Sequence, residues 1–345
     1  MRKGFITHVL NIIPKLFDIR KEKVNKMKKN FYWGFMLMLS NHMWEDETTL
    51  SGSWYGKRMP YDENNNTDIA VWDEIVAHMA KHKLNMALID VGDGIKYESH
   101  PEISAPDAWD KDFLKKKLDE MRAVGITPIP KLNFSCAHDT WLKKYRRMTS
   151  TPEYYQVGRD LIKEVAELFD SPELFHIGFD EETAPDQVNY ELITVRGEAL
   201  WWHDLDFFAK ECEKYGAQPW IWSDYIWSHQ DLFLKNMSRE IVQSNWYYGR
   251  FSDNPSYYPN EPLWLSTYEL LDKHGFEQIP TGASWRDVHN VEQTVAHCKY
   301  KLNPDLVRGV LAAPWLHTNR NAACGLRCDI ERMYNGRKRF YPETL

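Results

Sequence analysis

Leu174-Phe-His-Ile-Gly-Phe-Asp-Glu-Glu182 opens as an apolar run with the character of a buried strand and ends in three consecutive carboxylates. Leaving acids unpaired in an apolar interior carries a large desolvation cost, so the run reads as a strand whose carboxyl end reaches the lip of a cleft. Partly shielded there, at least one carboxyl can stay protonated near neutral pH and work as a general acid. The same acids also suit the first turn of a helix, where they meet free backbone N–H groups and the positive end of the dipole. On this segment alone both readings stand.

Outward from it, strand-like apolar runs alternate with amphipathic helical ones. Strands are predicted at 32–39, 86–91, 127–132, 174–179, 219–222, 240–246, 279–283 and 309–315. Between them, apolar residues recur at three and four over 71–82, 112–123, 154–169, 200–215 and 291–301, the spacing of helices with one buried face. The early helices stop at Lys83-Leu84-Asn85, Val124-Gly125, Asp170-Ser171-Pro172 and Tyr215-Gly216-Ala217, short connections with Gly, Asn or Pro where a helix must end. The connections after strands are much longer, at 40–69, 92–108 and 133–152. Alternation means an α/β fold with a parallel sheet, and about eight strands is the count of a (β/α)8 TIM barrel, whose post-strand loops carry the active site. The expected organisation is a leader or cap over 1–30 and one barrel domain over 31–345. A doubly wound open sheet is the runner-up, but no Gly-rich phosphate loop follows the first strand.

The 345 residues, 43% of them hydrophobic, suffice for one large core. A net charge of −7 with dispersed positive residues argues against a nucleic-acid partner. Five cysteines, an odd count in a long chain, argue against a disulfide framework and mildly for a reducing, cytoplasmic setting, with periplasmic or secreted locations left open. Cys324 and Cys328 share a helical face but lack a second pair to complete a zinc site, so no metal is expected. The N-terminus imitates a signal peptide, yet His8 and Asn11 interrupt its apolar part and Pro14-Lys15 replaces the small-residue cleavage site. No run is long enough to span a membrane. Oligomeric state is not legible.

The predicted strand ends collect a consistent set of residues. The third gives Asn133, His138 and Asp139; the fourth Asp180, Glu181 and Glu182; the fifth Trp220, Trp222, Asp224 and Trp227. The sixth gives Asn245, Trp246, Tyr247 and Tyr248, the seventh Trp285, Arg286 and Asp287, and the eighth Trp315 and His317. Aromatics and carboxylates at one rim suit a carbohydrate, whose rings offer apolar C–H faces and whose hydroxyls need polar partners. Trp201 and Trp202, in a predicted outer helix, are assigned instead to core packing. Glu181 as proton donor, with Asp180, Glu182 or Asp224 as partner, makes an acid/base pair for glycosidic cleavage that requires no cofactor. Adjacent residues on a regular strand face opposite sides, so Asp180 and Glu181 share a pocket only where the strand has ended and twisted. His138-Asp139 either orients this network or caps the helix that carries Trp141.

His176-Ile-Gly-Phe-Asp-Glu181 resembles the His-x-Gly-Gly-Asp-Glu signature on the fourth strand of family 20 glycoside hydrolases, the β-N-acetylhexosaminidases. Upstream, Ile129-Pro-Lys-Leu-Asn-Phe-Ser-Cys-Ala-His138 resembles that family's third-strand segment, Ile-Pro-Glu-Ile-Asp-x-Pro-Gly-His. The resemblance implies a retaining, substrate-assisted hydrolysis of an exo-terminal sugar. By position, Glu181 would protonate the glycosidic oxygen and later activate water, and Asp180 would orient the 2-acetamido group. His138 would support the acid, Tyr247 or Tyr248 would donate to the acetamido oxygen, and Trp222, Trp285 and Trp315 would wall the sugar. Asn133, Trp246 and Asp287 complete the expected binding set. The chain also departs from the pattern. No Arg lies in 31–41, no acid follows Trp315 closely, and Lys131, Asn133, Cys136-Ala137 and Phe179 stand where the family has Glu, Asp, Pro-Gly and Gly. These departures make a non-catalytic sugar-binding barrel the alternative. A metal-dependent isomerase or hydrolase using His138, Asp180, Glu181 and Asp224 is weaker, since those residues form no compact ligand motif.

Overall fold

In a computed structural model describing residues 31–44, 61–188, 190–251 and 260–345, the chain forms eight parallel strands. They are β1 Tyr32–Met38, β2 Met86–Asp90, β3 Thr127–Lys131, β4 Leu174–His176, β5 Gln218–Trp222, β6 Val242–Ser244, β7 Thr281–Gly282 and β8 Gly309–Ala312. Their order is β6-β5-β4-β3-β2-β1-β8-β7. The two ends of that series meet through parallel bridges, Gln243 with Gln278 and Trp246 with Thr281, so the sheet curls into a barrel. The open-sheet alternative is excluded. The expected leader over 1–30 lies outside the described residues.

Helices α1 Ile69–Lys81, α2 Lys111–Ala123, α3 Pro152–Leu168, α4 Glu198–Glu213, α5 Tyr225–Ser228, α6 Gln230–Asn236, α7 Glu261–Lys273, α8 Asn290–Lys301 and α9 Ala323–Phe340 follow the strands. Two of the long ones, α7 and α9, are absent from the sequence-based helices. In α9, apolar contact is carried by Leu326, Ile330 and Met333 amid Cys, Arg and two glycines, and Gly336 lets Val295 of α8 approach to 3.1 Å of where a Cβ would lie. Tertiary packing therefore overrides a weak local helix signal.

Period-2 alternation explains what the barrel holds. Inward-facing Tyr32, Met36, Met38, Met86, Leu88, Ile129, Leu174, Trp220, Val242, Ile279 and Leu311 are all buried in one cluster, and the intervening Phe35 and Leu37 are buried as well. Continuing the same faces toward the carboxyl ends brings in Asp90, Lys131, His176 and Trp222, each at most 1% exposed. A polar layer thus caps an apolar barrel core and underlies the rim. Lys131 Nζ pairs with Asp90 there, and also lies 5.8 Å from the centre of the Trp315 ring. Among the described residues, no helix is long and apolar enough to cross a membrane.

Candidate active site

β4 ends at His176, earlier than the predicted 179, because the backbone turns left-handed: φ is +80° at Gly178, +70° at Phe179 and +51° at Glu181. A Cβ on Gly178 would lie 1.8 Å from Asn133 Oδ1, so only glycine fits against β3's exit. Phe179 holds a conformation costly for a side-chain-bearing residue, on the order of 1–3 kcal/mol. Its ring is buried edge-on against Trp201, 5.5 Å between centroids, and lies 5.2 Å from the Arg196 guanidinium, contacts that offset the strain. This irregular exit sets the directions of the three acids.

Asp180 and Glu181 come to the same histidine. The Nε2–H of His138 donates to Glu181 Oε2 at 3.1 Å and stands 3.3 Å from Asp180 Oδ2, while Asn133 Nδ2 donates to Asp180 Oδ1 at 3.0 Å. Burial alone would lower the His138 pKa, but the Asp180 and Glu181 carboxylates override it and raise it to about 9. Burial pushes Asp180 upward, with His138 and Lys131 opposing and Glu181 reinforcing. Asp224 Oδ2 accepts the backbone N–H of Glu181 at 2.8 Å and Oδ1 accepts Trp246 Nε1 at 3.2 Å. Burial first, then the Asp180 charge, drives Asp224 well above the usual carboxylate range. Asp180 and Asp224 are buried, whereas the Glu181 side chain is 25% exposed.

The sign of the His138 shift has a consequence for stability. Its folded pKa exceeds the ordinary imidazole value of about 6.5, so its contribution is full below that pH and fades as the pH rises through about 9. Thermal midpoints of the wild type are expected to drop across that window, and the drop to shrink in His138→Gln. Parallel pH profiles for the two proteins would refute the assignment.

Aromatic rings surround the cluster. Trp44 meets His138 at 6.1 Å and Trp315 at 5.6 Å, both edge-on, and Trp315 Nε1 donates to Tyr248 Oη at 2.9 Å. Tyr248 stacks on Trp246 at 5.2 Å and lies 5.5 Å from Trp285. Trp44 escaped the sequence reading because the loop after β1 carries no motif. Trp222 is fully buried against His176 and Trp315, so it backs the wall instead of facing a sugar.

Several candidates sit elsewhere. Glu182 turns from the Asp180–Glu181 pair and accepts the Cys136 backbone N–H at 2.9 Å while pairing with Arg196. Tyr247 donates to the Arg250 carbonyl at 3.0 Å, in the field of Glu261, Arg286 and Asp287, while Tyr248 feels Glu181, Asp180 and Asp224. Asp287 binds Arg250 Nε at 2.9 Å and the His289 N–H at 2.8 Å. Asp139 occupies the N-cap position of the 3-10 helix Thr140–Met148, but its side chain makes no capping hydrogen bond. Arg196, which sequence reasoning missed, donates to Asp204 at 2.7 Å, to the Phe134 carbonyl at 2.9 Å and to Tyr154 Oη at 3.0 Å.

The whole barrel superposes on solved carbohydrate-active enzymes. A family 20 exo-β-N-acetylglucosaminidase from Vibrio harveyi, in complex with N-acetylglucosamine, matches 91% of this chain at 12% identity and a TM-score of 0.56. The fold is that of the family 20 glycoside hydrolases. A Flavobacterium johnsoniae chitobiase of family 20 matches 91% of the chain at 16% identity and a TM-score of 0.53. This chain spans 57% and 52% of the lengths of those two structures. Dispersin B is covered over 98% of its length, with 88% of this chain, 12% identity and a TM-score of 0.54. No family sequence model matches the chain, and no curated protein sequence does.

Proposed function

We propose that the protein is a glycoside hydrolase acting on the terminal residue of a glycan, with an N-acetylated sugar as the preferred case. The observation carrying this reading is the pair Asp180–Glu181, joined through His138 Nε2 inside an aromatic rim on the family 20 fold. Glu181, the more exposed of the two, protonates the glycosidic oxygen as the bond breaks and then takes a proton from the incoming water. Asp180, fixed by Asn133 and His138, accepts from the acetamido N–H so that the acetamido oxygen attacks the anomeric carbon. Tyr248 accepts from Trp315 and keeps its own proton to donate to that oxygen. Trp44, Trp246, Trp285 and Trp315 supply apolar faces for the sugar ring. His138 Nε2 lies between the two carboxylates, which favours this reading over one that places a cation there.

The test is hydrolysis of a panel of aryl glycosides, N-acetylglucosaminide, N-acetylgalactosaminide and the plain hexosides. Asp180→Asn is expected to reduce kcat on the N-acetyl substrates by about 10²–10³-fold, the scale of losing an aligned hydrogen-bond partner in the transition state. Equal losses on sugars without the acetamido group would count against substrate assistance and for a two-carboxylate mechanism. Sugar binding without turnover across the panel would favour the non-catalytic alternative.

A further inference from the structure

His78 and His82 lie four residues apart at the carboxyl end of α1, and therefore on one face of it. Their rings are 4.2 Å apart. Glu331, from α9, reaches across to them: its Oε1 is 3.1 Å from His78 Nε2. One ligand atom from each of the three residues lies within 4.8 Å of the others. Donors around a tetrahedral zinc sit about 3.3 Å apart, given metal–ligand bonds of about 2.0–2.2 Å. The His78–Glu331 separation already meets that spacing, and the Glu331 side chain is 51% exposed, so its carboxylate has room to turn toward His82.

A second feature separates this group from a chance surface cluster. His82 Nδ1 is 2.9 Å from the His78 carbonyl oxygen, an atom that can only accept, so Nδ1 carries the proton and Nε2 keeps its lone pair. A ring N–H held by a carbonyl is how metal-binding histidines are commonly oriented. Tyr334 meets the His82 ring edge-on at 5.3 Å and limits its rotation. The tautomer and orientation of His82 that a metal requires are thus set by the protein, and at His78 the metal would take the place of the proton shared with Glu331.

We propose that His78, His82 and Glu331 form a binding site for a divalent metal ion of the zinc class, with water completing the shell, that clamps α9 to α1. The ligands come from neighbouring helices that lie far apart in the chain, His78 and Glu331 being 253 residues apart in sequence. A link across so long a loop restricts the unfolded chain strongly, so metal binding stabilises the fold.

The experiment uses the full chain without a histidine tag, stripped with chelator and titrated calorimetrically with zinc chloride. One zinc per chain is expected, with affinity at least about tenfold weaker in His82→Ala and in Glu331→Gln. Zinc at a concentration that just saturates the wild type should raise its Tm by at least about 2 °C and raise that of both variants by clearly less. Cobalt(II) should give visible absorption in the wild type that His82→Ala loses. Glu331→Gln changes an exposed side chain, which guards against a folding defect in the other variant. Cys324 and Cys328, on the same helix, are the competing ligands, and Cys324→Ser with Cys328→Ser should leave binding intact. Zinc affinity unchanged in both site variants, lost in the cysteine variant, or absent in the wild type would overturn the proposal.

Discussion

Glu181→Gln lowers kcat by about 10²–10⁴-fold, the range that general acid–base catalysis supplies. The substitution preserves shape and can still accept from His138 Nε2, so circular dichroism and Tm should stay close to wild type. The defect should also depend on the leaving group. Aryl glycosides with acidic phenols need little protonation and should lose least, whereas basic alcohol leaving groups should lose most. A variant turning over within twofold of wild type, or a loss independent of the leaving group, would remove Glu181 from the acid role. Nothing in this test depends on which sugar is bound, so it separates the acid assignment from the substrate-assistance question addressed with Asp180→Asn.

The largest stability effect is expected at Arg196, which touches the acid pair only through its neighbour Glu182. Its guanidinium is 1% exposed and sits between Glu182 and Asp204, at 3% and 0%. Such a cluster need not be more stable than a well-packed apolar one: burial raises the Glu182 pKa even with Arg196 opposing it. Removing one partner is a different matter, because the others remain buried and charged. Arg196→Met should therefore destabilise by about 3–5 kcal/mol, read as a shift in the urea midpoint at constant slope. Adding Glu182→Gln should recover part of the loss, since it relieves one orphaned charge. A loss under about 1 kcal/mol would show that water or rearrangement compensates the acids. Activity of Arg196→Met should decline with stability, because Glu182 adjoins Glu181 and anchors the β4 exit to Cys136.

Much of the fold was readable in order of sequence. Strand spacing, the short connections before strands and the long ones after them are local signals, and they pointed to the barrel and to the rim that carries Asn133, His138, Asp180, Glu181 and Asp224. Helix α9 was not readable, since its Gly- and Arg-containing sequence becomes helical through contact with α8 and α1. The same holds for Trp44 and Arg196, whose places depend on partners far along the chain.

The sequence by itself determined the strand count, the position of the acids at a strand end and the aromatic character of the rim, because periodicity and chain-breaking residues act within a few positions. Tertiary structure alone decided that Glu181 joins Asp180 while Glu182 turns to Arg196, and that Tyr248 joins the acids while Tyr247 does not. Beyond His176 the backbone leaves strand geometry, so alternation no longer sets side-chain direction. Direction there is set by left-handed φ values that persist because Gly178 packs on Asn133 and Phe179 on Trp201.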